Sequence, residues 1–259
     1  MIDLHCHILW GIDDGPKELE ESMEVCRMLS NKGITEVVAT PHYITDSTYK
    51  TSSKEIVKMV DLLNDKLSKE AVKLKVHSGM EVFLSPEIMD LIRSKEVLTL
   101  NNSNYILVET YLNNVPVYFE DLFYQMQIEG LSPILAHPER NSRINQDISM
   151  VEKYFNSGIV IQMNIDSLIG KYGSRVKSFA QKILVSGLVH VICTDTHCVN
   201  NRYKNVTEIE EILTRMVGSE NMEKLLYTNP EKVLNNEVVE ELEPVEIKRT
   251  FFKKLFSKR

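Results

Sequence analysis

Glycine is thinly used in this chain, 10 residues in 259, and no strand-like run leads into the G-x-G-x-x-G turn that cradles a dinucleotide. An open, doubly wound nucleotide-binding sheet is therefore disfavoured. No run of 18 or more apolar residues occurs, so no membrane-spanning helix is expected. The first residues enter a strand-like run at once, and no secretory leader is expected. Four cysteines, Cys6, Cys26, Cys193 and Cys198, show no C-x-x-C spacing, which fits a reduced, cytoplasmic compartment. Excess positive charge is missing too. The formal charge is −7, and residues 248–259 hold six basic residues and no acid, leaving residues 1–247 at −13 (24 basic, 37 acidic). Such an acidic body argues against a broad nucleic-acid-binding surface.

What remains is ordinary material for a globular core: 43% of residues are apolar, enough for one large α/β domain without staples. Strand-like runs fall at 1–6 (MIDLHC), 34–41 (ITEVVATP), 74–82 (LKVHSGMEV), 105–110 (YILVET), 132–137 (SPILAH), 158–164 (GIVIQMN) and 189–195 (VHVICTD). Amphipathic helical patterns lie between them, for example at 18–33, 53–71 and 176–187, the first and last of these closing on glycine. Seven strands, each followed by a helical or loop segment, predict parallel βα units. Seven units in one continuous run favour a closed or nearly closed barrel. No repeat or low-complexity linker interrupts residues 1–236, and residues 237–259 turn acidic and then basic, a tail expected outside the barrel.

The metal-competent side chains cluster by position. His5 and His7 close the first run, His42 follows the second, and Glu81 lies within the third. Glu109 follows YILV, His137 follows PILA, and Asp195 and His197 follow VICT, while Asp14 sits in the loop after the first run. In a parallel barrel these strand ends share one face, where the βα loops build a site. Side chains two apart on a strand point the same way, so His5 and His7 project together, as do Asp195 and His197. A lone His-x-His pair means little. Five of the seven histidines and four acids repeating one placement outweighs the bland alternative, polar residues that merely cap strands and helices. Imidazole and carboxylate donors together suit manganese, iron, zinc or cobalt rather than calcium or magnesium. Nine donors exceed one tetrahedral ion, so two or three ions sharing a bridging carboxylate are expected. Three divalent ions against four carboxylates would leave a positive pit in an acidic protein, suited to a phosphate dianion.

The motifs DLHCH, DDGP, TPH, GMEV, the Glu of LVET, AHPER and TDTH occur in the order seen in the PHP (polymerase and histidinol phosphatase) superfamily. Over residues 1 to about 235 the chain most resembles that superfamily's bacterial protein-tyrosine phosphatases of capsule and exopolysaccharide operons, the CpsB/YwqE type. The resemblance implies a distorted (β/α)7 barrel over residues 1–236 and a trinuclear site, with manganese foremost and iron, zinc or cobalt as alternatives. By motif, His5, His7, Glu81 and Asp195 would hold one ion. Glu81, Glu109 and His137 would hold a second, and Asp14, His42 and His197 the third. Arg140 and Arg202 would bind the phosphoryl group, a task suited to the guanidinium fork. A metal-activated hydroxide would be the nucleophile.

A thiolate phosphatase would need Cys-x5-Arg, and the residues six beyond the four cysteines are Ile12, Lys32, Val199 and Lys204. The implied substrate is a phosphotyrosine protein, a membrane-associated tyrosine kinase regulating polysaccharide synthesis. Histidinol phosphate or another small phosphomonoester is the alternative substrate, and a non-catalytic metal-binding scaffold is the third reading. A cytoplasmic location and a homo-oligomer complete the expectations, and the basic tail IKRTFFKKLFSKR suits either peripheral membrane contact or a plain frayed or subunit-packing arm. Cys6, between the two histidines, is expected to face away from the metals and act as a packing residue.

Overall fold

The structure, a computed structural model, describes residues 1–199, 203 and 205–243. Arg202 and the basic tail beyond residue 243 lie outside the described residues. Among the described residues there are nine strands: β1 (Ile2–Cys6), β2 (Glu36–Ala39), β3 (His42–Tyr43), β4 (Lys75–Ser78), β5 (Glu81–Phe83), β6 (Tyr105–Glu109), β7 (Ser132–Leu135), β8 (Val160–Asn164) and β9 (Val191–Cys193). Every pairing is parallel, in the orders β1-β2-β4 and β3-β5-β6-β7-β8-β9. The segment after β9 returns to β1. Cys6 bridges Thr196, the His7 amide donates to Thr196 O at 2.8 Å, and the Asp195 amide donates to His5 O at 3.0 Å. This closes the circuit, and the expected parallel α/β barrel of seven staves is the fold observed.

Two of the seven staves are broken. The run 34–41 continues as β2 and then β3, and the run 74–82 as β4 and then β5. Pro41 has no N–H to give the ladder, so the first stave cannot run straight through it. In the second, a Cβ on Gly79 would stand 2.7 Å from Val38 Cγ1 and 2.8 Å from Leu100 Cδ2, so only glycine allows this approach. Beyond both breaks the chain re-pairs with His42 opposite Glu81, which brings two ligand candidates side by side.

Helices cover the outside. Ser53–Lys69 buries Ile56, Val60, Leu63 and Leu67, one stripe at helical spacing, and its N-cap Ser52 accepts from the Glu55 amide. Each such side chain contributes about 1.5–3 kcal/mol on burial. Leu19–Asn31 and Ser174–Val185 match the predicted helices within two residues, ending before Gly33 and Gly187, both at positive φ. The core has two layers. Cys6, Val37, Val76, Val108, Leu135 and Ile192 pack outward against the helices, whereas Leu4, Leu107, Ile134, Val160 and Val191 fill the interior.

Below that plug, residues 237–243 run along the N-terminal ends of the strands. The Asn229 side chain bonds the Glu240 backbone at both N (2.7 Å) and O (2.8 Å), and Asn221 does the same to Glu243. Among the described residues no helix is long and apolar enough to cross a membrane.

Candidate metal centre at the strand ends

The inward row of each stave ends in a polar side chain, and these ends meet. β1 delivers His5 and His7 inward by a register shift between Asp3 and Cys6 in its pairing with β2. That shift, an extra residue on β1, lets Leu4 join the interior plug while the histidines also face inward. Cys6 is fully buried in the outer layer, its Sγ 3.6 Å from Thr196 O. His137 and Asp195 lie just past β7 and β9 with φ of 32° and 53°. Left-handed backbone at non-glycine residues is strained and is tolerated where the surroundings over-determine it, commonly at functional sites.

All nine candidates named from sequence converge. His5 Nε2 and His7 Nε2 stand 3.1 Å apart, each 3.2 Å from Glu81 Oε2. Both also approach Asp195 Oδ1, at 3.4 and 3.5 Å. Glu81 Oε1 is 3.0 Å from His137 Nε2, and Glu81 Oε2 is 3.0 Å from His42 Nδ1. His42 Nδ1 is 3.6 Å from Glu109 Oε2, and Asp14 Oδ1 lies 3.2 Å from His197 Nε2 and 3.7 Å from His42 Nε2. Four compact donor groups result: His7, Asp14, His42 and His197; His5, His7 and Glu81; His5, His137 and Asp195; and His42, Glu81 and Glu109.

These residues fit a polynuclear cation site on two observations. The buried Glu81 Oε2 has imidazole nitrogens on three sides but makes no hydrogen bond of acceptable geometry. In addition, three imidazoles have Nδ1 against an oxygen, so Nδ1 carries the proton and Nε2 presents a lone pair to the centre. His5 Nδ1 meets Gln162 Oε1 at 3.2 Å, His7 Nδ1 meets Asp13 Oδ2 at 2.8 Å, and His197 Nδ1 meets the Asp195 carbonyl at 2.9 Å. Two Nε2 lone pairs 3.1 Å apart repel unless a cation or a proton lies between them.

The cluster is strongly polarised. Burial pushes the Glu81 carboxyl up, but the His5, His137 and His42 imidazoles outweigh it and hold Glu81 well below the ordinary range. Glu109 moves the other way, to about 8, because burial and the neighbouring Glu81 charge both disfavour its anion. Burial also raises the thiols of Cys6, Cys26 and Cys193, which leaves them inert. All four cysteines are free.

Arg140 sits on a short 3₁₀ turn, Pro138–Arg140, and lines a pocket of about 320 Å³ above the cluster. Its Nη1 donates to Asp195 Oδ2 at 2.8 Å. The adjacent Glu139 turns away into the protein, accepting from the Asn164 amide and Ser167 Oγ. Sequence reasoning missed several residues here. Asp13, next to the candidate ligand Asp14, orients His7 and accepts from the Gly15 amide. Gln162 accepts from His5 and from the His137 amide, and Asn164 donates to Asp195 Oδ2 at 2.8 Å. Their signal is visible in VIQMN, where two amides alternate inside an otherwise apolar strand. Lys171 and Tyr172 also line the pocket.

Fold and site together define a parallel βα barrel carrying a candidate polynuclear metal centre at the C-terminal ends of its strands. The sequence profile of the capsular polysaccharide synthesis family CpsB/CapC matches residues 1–235, and the chain belongs to that family. It is 34% identical to the tyrosine-protein phosphatase YwqE of Bacillus subtilis over 256 residues, covering 99% of each chain. It is 26% identical to the tyrosine-protein phosphatase CpsB of Streptococcus agalactiae serotype V over 244 residues, 92% of this chain and 100% of that one. The fold superimposes with a TM-score of 0.88 and 34% identity on a crystal structure from the study of YwqE and Streptococcus pneumoniae CpsB, described as unique metal-dependent tyrosine phosphatases; the match covers 96% of this chain and 100% of that one. A histidinol phosphate phosphatase from Lactococcus lactis, crystallised with zinc, L-histidinol and phosphate, shares the fold at a TM-score of 0.53 and 11% identity over 83% of this chain and 94% of that one.

Proposed function

We propose that this protein is a metal-dependent phosphatase that hydrolyses phosphotyrosine on a protein substrate. The observation that carries the reading is the convergence of nine imidazole and carboxylate side chains beneath a pocket walled by Arg140. The ligand set is His5, His7, Asp14, His42, Glu81, Glu109, His137, Asp195 and His197, with Arg140 and Arg202 on the phosphoryl oxygens. Manganese is the proposed metal. Bound divalent ions would acidify a water to serve as nucleophile and would neutralise charge on the phosphoryl oxygens.

The chain's own groups do the rest. Asp13, Gln162 and the Asp195 carbonyl hold three histidines in the tautomer that offers Nε2. Arg140 offers its remaining guanidinium N–H groups to the phosphoryl oxygens while Asp195 anchors one edge. A phenol has a pKa of about 10, so tyrosine leaves as phenolate with little help from a general acid. No phosphoenzyme is required, in keeping with the buried, raised thiols of three cysteines.

Membership in the CpsB/CapC family supports a tyrosine kinase of capsule or exopolysaccharide synthesis as the substrate, met from the cytoplasmic side of the membrane. A homo-oligomer, a domain boundary near residue 236, and contact of the basic tail with anionic lipid belong to the same proposal. Liposome co-sedimentation of the full chain beside a form ending at Glu246 tests the lipid contact, and equal binding dismisses it. For the activity itself, kcat/KM is measured on a phosphotyrosyl peptide and on histidinol phosphate, with and without excess EDTA. The reading expects the peptide to be preferred and EDTA to abolish turnover. Full activity in excess chelator, or a preference for histidinol phosphate, refutes it.

A further inference from the structure

The loop between β8 and the helix Ser174–Val185 has no place in the ligand set, yet it forms one wall of the pocket. The short helix Ile165–Ile169 stops at Gly170, with φ of 89°, and the loop ends at Gly173, with φ of 93°. Between these two left-handed glycines stand Lys171 and Tyr172. Asp166 ties the turn down, since its carbonyl accepts from the amides of Gly170 (3.1 Å) and Lys171 (2.9 Å). Its carboxylate holds Lys171 Nζ at 2.7 Å. Lys171, which also lines the pocket with its Nζ 5.5 Å from the Tyr172 ring centroid, is tied to the buried Asp166, and Tyr172 is the aromatic side chain this turn delivers to the pocket.

The ring of Tyr172 lies under the Arg140 guanidinium, with Cζ 4.6 Å from the ring centroid. Among the described residues the Arg140 guanidinium makes one hydrogen bond, Nη1 to Asp195 Oδ2. A guanidinium held by one hydrogen bond can swing about it. A flat aromatic face beneath restricts that freedom, because the ring quadrupole attracts the cation. Nε and Nη2, without a hydrogen bond among the described residues, then remain for the phosphoryl oxygens. The Tyr172 hydroxyl makes no hydrogen bond among the described residues, so the ring is the part in use.

We infer that Tyr172 is a positioning residue for the phosphoryl-binding Arg140: its ring fixes the guanidinium between Asp195 and the pocket, in the orientation that grips an aryl phosphate. The inference rests on the phosphatase reading given above.

A double-mutant cycle on the manganese-loaded full chain tests it, reading the Kd of inorganic phosphate by calorimetry and kcat/KM on a phosphotyrosyl peptide. Tyr172→Ala should weaken phosphate binding and lower kcat/KM by about five- to thirtyfold, ~1–2 kcal/mol. Tyr172→Phe should stay within about twofold of the wild type, a rescue that a role for the hydroxyl would not give. In an Arg140→Ala background, Tyr172→Ala should change neither quantity further. Equal losses in both backgrounds, or no loss from Tyr172→Ala while Arg140→Ala alone is impaired, overturn the inference and leave the phosphatase reading standing. If Arg140→Ala alone leaves both quantities unchanged, the assignment of Arg140 as the phosphoryl anchor falls and takes the inference with it. Matching thermal melts of Tyr172→Phe and Tyr172→Ala would tie the loss to Arg140 rather than to folding.

Discussion

Removing one carboxylate oxygen from Asp13 should loosen the metal centre without touching a proposed ligand. Both oxygens of this buried side chain are engaged. Oδ1 accepts from the Gly15 amide at 2.9 Å, and Oδ2 accepts from His7 Nδ1 at 2.8 Å and lies 3.3 Å from the His42 amide. Asp13→Asn keeps the shape but has one acceptor for three donors. If the amide oxygen stays with Gly15, its NH2 faces the His7 and His42 donors, and His7 turns or changes tautomer. Outer partners of metal-bound histidines contribute about 10–100-fold to metal affinity or activity, which corresponds to ~1.4–2.7 kcal/mol. Asp13→Asn should therefore shift the manganese concentration for half-maximal activity upward by that factor, while saturating manganese restores part of the rate. Asp13→Ala should do at least as much. Chelator-buffered manganese titrations of phosphatase activity, paired with calorimetric binding, give the numbers. Half-saturation within twofold of the wild type for both variants would falsify the orienting role.

Three other expectations follow from local geometry. His190 lies buried against Phe155, its Nδ1 accepting from the Ile161 amide, and burial lowers its pKa to about 4. Since the folded value lies below the ordinary 6.5, the folded state prefers the neutral ring; this stability is complete above pH 6.5 and is lost as pH falls from 6.5 towards 4, up to ~3 kcal/mol. Chemical denaturation at a series of pH values, for wild type and His190→Gln, should show a shallower acid loss in the variant, and parallel curves would count against the assignment. Gly79→Ala places a Cβ within 2.8 Å of Val38 and Leu100 side chains, so it should cost about 1–3 kcal/mol, visible as a drop of several degrees in Tm; an unchanged Tm contradicts the close approach. Cys6→Ala should keep most phosphatase activity while His5→Ala and the pair His42→Ala with His137→Ala should not, and a Cys6→Ala protein as inactive as His5→Ala would bring the thiol back into consideration.

The nine ligand candidates were legible because strand ends are legible. A β-branched run that stops at His, Asp or Glu places that residue on the catalytic face of any parallel barrel, whatever its exact register. The breaks in two staves were less so, although Pro41 and Gly79 mark them. Proline forbids one ladder bond in any context, but the demand for a bare Cα at Gly79 comes from Val38 and Leu100, distant in sequence. Asp13 illustrates the same limit. Two adjacent carboxylates in DDG look alike on paper, and only the path of the loop decides that Asp14 meets His42 and His197 while Asp13 turns under His7.

The triplet His5-Cys6-His7 shows where alternation suffices and where it fails. Alternation alone turns Cys6 outward and both histidines inward, as observed, but it would also turn Leu4 outward with Cys6. Leu4 instead packs with Leu107, Ile134 and Val191 in the interior, because β1 carries one residue more than β2 between Asp3 and Cys6. The extra residue changes the phase of the strand between its plug half and its site half. A buried strand can thereby present leucine to an apolar floor and imidazole to a polar roof on the same side, which a strict period of two with this sequence forbids. A regular ladder through these same residues, with both Leu4 and His5 retained, would send either the plug or the histidines to the outer layer, so the irregularity is what lets this sequence keep both on one side.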